Sequence, residues 1–156
     1  MIAVNLRRSY PDVQNGSRTL EDVTLGNWAG VSDEAAARFG DVVIGVYGDE
    51  VVSAYDTTGW ARVEEGRVRF DGVESVEFEK LIGQKPPVAP WTRGQARPVK
   101  YVDTDVVRTG EAAVEILEDG VRRAVVGDYT VTLDGDGGLT VEAPAGSAVH
   151  VVTAVR

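Results

Sequence analysis

An α+β chain that is mainly β, laid out as a small antiparallel β-barrel or meander with two or three short helices and C-terminal β-hairpins, is the fold class this sequence predicts. Three observations carry the prediction. Eighteen glycines punctuate 156 residues, valine-rich runs lie between them, and long apolar stretches of helical period are scarce. The length suits one core, and 43% hydrophobic with 26% charged residues is the composition of a folding chain. A strand-rich core with short helices is expected over 1–103. A hairpin extension is expected over 104–156, either a small second sheet or the far wall of the same barrel.

The elements follow in order. Ile2, Val4 and Leu6 alternate in a first strand to Arg7, and Ser9 to Ser17 is turn-rich. Thr19 can cap a helix holding Leu20, Val23 and Trp28, with Glu21 and Asp22 where the dipole favours them. Ser32 can cap a second helix, Asp33 to Phe39, ended by Gly40. Val42 to Tyr47 reads as a buried strand, and Gly48-Asp49 as the turn into Val51 to Tyr55. Strands around Trp60 to Val63 and Arg67 to Phe70 complete a four-strand meander. Ser75 can cap a third helix presenting Phe78, Leu81 and Ile82. Residues 84–98 hold four of the six prolines and form an extended surface loop before a strand at Val99 to Val102. From Ala113 onward, strands alternate with Gly-Asp turns, ending in Val149 to Val155.

Counting removes several chemistries. Without cysteine there is neither a disulfide nor a thiolate metal site, and His150, the single histidine, excludes multi-histidine sites. Its valine neighbours place it at a half-buried strand position. No phosphate-loop or dinucleotide fingerprint is present, so no cofactor is expected. Asp134 to Gly138 opens like a calcium loop but lacks the late ligands, and reads as a hairpin turn. No apolar run reaches the ~20 residues that span a bilayer, and the N-terminal residues lack the pattern of an export signal. A cytoplasmic chain without membrane contact is expected.

Net charge is −9, which opposes non-specific binding to nucleic acid, yet the charge is unevenly spread. Residues 41–83 and 103–156 each carry ten carboxylates against four basic side chains; residues 84–102 carry four basic side chains and no carboxylate. Within that basic stretch lie Trp91, Arg93, Gln95, Arg97 and Tyr101. Cations for phosphate, aromatic faces for bases and an amide for base edges are the mix a single-strand or flipped-base site uses. The competing reading is structural: Trp91 staples the loop to the sheet while the cations answer their acidic flanks. Trp28, Trp60 and Trp91 read as core residues of a small barrel in preference to a ligand cage.

The order over 42–102 resembles the PUA-like superfamily, which includes EVE and ASCH domains. Its carriers are Gly45-Val46-Tyr47-Gly48, a strand near Trp60, Arg67-Val68-Arg69-Phe70-Asp71-Gly72, a short helix, and Arg97-Pro98-Val99-Lys100-Tyr101. The resemblance implies a small β-barrel with a cleft for RNA or a modified base, non-enzymatic in most members. It implies Trp60, Trp91, Arg93, Arg97 and Tyr101 as cleft residues, to which the loop reading adds Gln95. The acidic balance suits a nucleotide or modified base better than a long backbone. The expected function is a non-catalytic binding module for a nucleotide or single-stranded nucleic acid. Its rivals are a protein-interaction or accessory subunit, such as a homodimer, and a carboxylate-based hydrolase.

Overall fold

The computed structural model describes residues 1–92, 97–109, 113–116, 121–126 and 129–150. Short runs of β-branched residues form its central strands. β1 (Ile2–Asn5) and β2 (Val42–Tyr47) are almost wholly buried, and they pair in parallel, Ile2 opposite Val43 and Asn5 opposite Val46. Parallel neighbours need a crossover. Here it is three short helices, α1 (Tyr10–Gln14), α2 (Leu20–Leu25) and α3 (Asp33–Phe39). β3 (Glu50–Arg62) and β4 (Val68–Glu74) return antiparallel on one side, and β5 (Val99–Tyr101) pairs antiparallel with β1 on the other. The order is β4-β3-β2-β1-β5. Of the two expected forms, the meander is the one that forms; the sheet is open, and mixed because of the parallel pair.

Strand alternation divides the core between the two faces of this sheet. Ile2, Val4, Leu6 and Val43 face the helices with Val23, Leu25, Ala36 and Phe70. Met1, Ala3, Val42, Ile44 and Val46 face the other way and are covered by Phe78, Val88, Val102 and Val107. A parallel pair is stable where both faces are covered, and this one is. Val107 belongs to α4 (Thr104–Thr109), tied to the start of β1 by the Met1 ammonium, which donates to Val102 O at 2.9 Å and to Thr104 Oγ1 at 2.5 Å.

A second sheet follows, antiparallel in the order β6 (Ala113–Ile116), β7 (Arg122–Val126), β8 (Tyr129–Leu133) and β9 (Leu139–Glu142). Asp134 to Gly138 is the turn between β8 and β9, closed by Asp134 N to Gly138 O at 2.8 Å.

Several expected elements are redrawn. The strands at Val51 and Trp60 are one strand, β3, because a bulge between Thr57 and Gly59 absorbs the irregularity without ending the pairing. The helix after Ser75 is a single 3₁₀ turn, Glu79–Leu81: Ser75 Oγ accepts from Phe78 N, but Ile82 is already extended and Gly83 N turns to Val51 O on β3. The helix capped by Thr19, α2, stops at Leu25, so Trp28 lies outside it, pairing through its backbone with Val68. Two helices went unforeseen. α1 forms where turns were expected, with Pro11 in its first turn, where a missing N–H costs nothing, and α4 follows Asp103. Val149 and His150 are exposed and lie in no strand; the remainder of the expected last strand falls outside the described residues.

Candidate functional site

β1 and β2 end side by side, and the chain diverges beyond them. Leu6 still bonds to Val46 (N to O 2.8 Å) before Arg7 and Arg8 emerge into solvent; Arg7 N is held by Asn5 Oδ1 at 3.0 Å. Beyond β2, Gly48 and Asp49 take φ of 60° and 65°, the left-handed pair of a tight hairpin turn, and lead back into β3. Divergence at the carboxyl ends of adjacent parallel strands leaves a crevice, the usual ligand position in sheets containing such a pair. Here it is an open cleft of about 1130 Å³.

Three aromatic side chains line it: Trp28, Tyr47 and Trp91. Each is fixed from behind. Trp28 Nε1 donates to Thr24 O at 2.7 Å, and Tyr47 stacks on Tyr10 with centroids 4.3 Å apart. Trp91 Nε1 donates to Arg97 O at 3.2 Å, and the Lys100 ammonium lies 5.2 Å from its ring centroid. Lys100 is only 3% exposed and donates to Ala89 O at 2.8 Å. A buried lysine anchored to loop carbonyls and an indole locks the loop in place.

Among the described residues five arginines share the cleft, Arg7, Arg8, Arg18, Arg67 and Arg97, and Asp49 is its one carboxylate. In a chain of net charge −9 this concentrates positive charge at one place. Their commitments differ. Arg97 donates to Gly30 O at 2.9 Å, Arg18 to Asp22 O at 3.1 Å, and Arg67 pairs with Glu65 at 3.3 Å. Among the described residues, the Arg7 and Arg8 guanidinium groups make no ion pair or hydrogen bond.

Of the residues expected from sequence, Trp91 and Arg97 line this cleft. Arg93 and Gln95 lie outside the described residues. Tyr101 does not line the cleft: it is 8% exposed, paired with Ile2 at the other end of β1 and stacked on Phe39 at 5.2 Å, with its hydroxyl 3.4 Å from Gly30 O, the carbonyl that also holds Arg97. Trp60 stands opposite Phe70 on the β3–β4 ribbon and packs on the helix-side core, away from the cleft. The tryptophans therefore separate: Trp28 and Trp91 share one cleft and Trp60 does not. Arg7, Arg8, Arg18, Arg67 and Tyr47 were not foreseen. The legible signal was the Arg7-Arg8 doublet directly after a buried strand.

No family model, curated protein or solved structure matches this chain. The site is described by its own chemistry: planar apolar faces beside guanidinium groups, the first suited to stacking on a ring and the second to pairing with an anion. Glu21, Asp22 and Asp71 line a separate cavity of about 180 Å³. That is smaller than the roughly 300 Å³ at which ligand pockets begin, and the Asp22 carboxylate is already engaged with Thr19 N.

Proposed function

We propose that this protein is a non-catalytic binding module for a nucleic-acid-derived ligand, and that the cleft at the ends of β1 and β2 is its site. The observation that carries the reading is the gathering of five arginines with Trp28, Tyr47 and Trp91 in an otherwise acidic chain. Guanidinium groups take phosphate oxygens in two-pronged contacts and aromatic faces stack on bases. It is the kind of ligand that the PUA-like resemblance implies, on a largely different set of residues. With one carboxylate among its described lining residues, the cleft offers no pair for acid-base hydrolysis.

The test is the thermal unfolding midpoint against nucleotides, modified nucleosides and short single-stranded RNA. A ligand of the native state present at a hundred times its Kd stabilises by about 2.7 kcal/mol. A rise in midpoint that shrinks with added salt and is lost in Arg7→Ala/Arg8→Ala supports the reading; no rise with any of them overturns it. A second reading, contact with another protein, rests on Val73 in the sheet-edge strand β4, Val76 just after it and Ile82 after the 3₁₀ turn, which are 61%, 86% and 45% exposed. Sedimentation of the free protein tests its homodimer form.

A further inference from the structure

We propose that the cleft takes one phosphorylated nucleoside, its phosphate on Arg7 and Arg8 and its base on Trp91, with Lys100 as the positioning residue that holds the indole. This rests on the reading of the cleft given above and narrows it to a ligand class. The cations decide the size. Among the described residues of the cleft, Arg18, Arg67 and Arg97 are occupied by a carbonyl, a carboxylate and a carbonyl, which leaves the adjacent Arg7 and Arg8 to meet an incoming anion. Two adjacent guanidinium groups balance the charge of one terminal phosphate; a strand would need a longer track. Residues 41–83, which supply Tyr47 and Asp49 to one wall of the cleft, carry ten carboxylates against four basic side chains. A polymer crossing that wall would meet repulsion where a single nucleotide would not.

Lys100 supplies the second half of the inference. Its ammonium is buried, anchored to Ala89 O, and placed against Trp91, which itself lines the cleft. Trp91 also packs against the core cluster containing Val88. An indole held by Arg97 O, the Lys100 ammonium and contacts with the core is already oriented when a base arrives, so binding loses little side-chain entropy. Lys100 is not a lining residue of the cleft, and its route to the ligand is through Trp91.

Calorimetric titration tests this with the full chain and four kinds of probe: nucleoside monophosphates, the matching nucleosides, inorganic phosphate, and a short single-stranded RNA without terminal phosphate. At least one monophosphate is expected to bind about tenfold or more tighter than its nucleoside, than phosphate and than the RNA. Arg7→Ala/Arg8→Ala should reduce the monophosphate to the affinity of its nucleoside. Lys100→Met should weaken monophosphate and nucleoside by the same factor and leave phosphate unchanged, which a general loss of structure would not do. Trp91→Leu, which keeps Lys100, should reproduce that pattern, and the two substitutions together should add nothing further. If Lys100→Met does not fold, Trp91→Leu alone decides the base side. RNA binding tighter than every monophosphate, or phosphate binding weakened by Trp91→Leu, overturns the proposal while the cleft reading stands. No binding of any probe overturns both.

Discussion

Gly45 lies at a tight point of the helix-side core. A Cβ there would stand 2.4 Å from Ser53 Oγ, 2.7 Å from Leu6 Cδ1 and 2.9 Å from Thr24 Oγ1, so α2 rests on β2 through a gap one side chain would fill. Thr24 and Ser53, both buried, bond to each other across it at 2.8 Å. Gly45→Ala is expected to cost about 1–3 kcal/mol by overpacking, read as a lower urea midpoint. Tyr55, 4% exposed, has its phenol pushed up to about 12 by burial first and then by Glu74 and Glu21. A raised phenol pKa favours the folded state below the unfolded value near 10, and that contribution is lost as pH rises toward 12. Tyr55→Phe should therefore flatten the fall of the melting temperature across that window. At this scale sequence was informative only where a residue's role is local. Tyr101 and Trp60 share the aromatic character of Trp91, but burial against Phe39 and the β3–β4 ribbon assigns them to packing, and no neighbour in sequence reports that.

Among the elements, α2 and α3 were legible because their signals are short-range. Thr19 and Asp22 form a reciprocal capping box, and Ser32 Oγ accepts from Ala35 N at 3.1 Å. Thr19→Ala should cost about 1 kcal/mol, visible as a lower thermal midpoint; it should leave ligand affinity unchanged, since Thr19 does not line the cleft. Val42–Tyr47 was found residue for residue, since a continuous apolar run bounded by Gly-Asp signals has one interpretation as a strand. Strand direction is another matter. Nothing in Ile2–Asn5 or Val42–Tyr47 encodes that they run parallel; three intervening helices decide it by returning the chain to the same end of the sheet. The cleft exists because of that direction, so Arg7, separated in sequence from Arg67 and Arg97, was beyond any local pattern.

In the molecule as a whole the two sheets are unequally provided for. β1 and β2 are covered on both faces, whereas β8 and β9 carry only half-buried and exposed side chains, with Leu139 52% exposed. Local stability follows buried apolar contact. Native-state hydrogen exchange should show the slowest amides in β1 and β2, and amides of β8 and β9 exchanging much faster, by local opening. Equal protection of the two sheets would show that β6–β9 is stabilised by contacts other than its own faces.

The position of β1 also bears on synthesis. It precedes both its neighbours in the chain, yet it sits between β2 and β5, with Ile2 opposite both Val43 and Tyr101. On the ribosome it must wait for the helical crossover before it gains one neighbour and for residue 101 before it gains the other. Until then it is an apolar edge, ready to pair with whatever strand is near. A nascent chain stalled before Val99 should therefore recruit holdase chaperones, and one stalled after α4 has cleared the exit tunnel should release them.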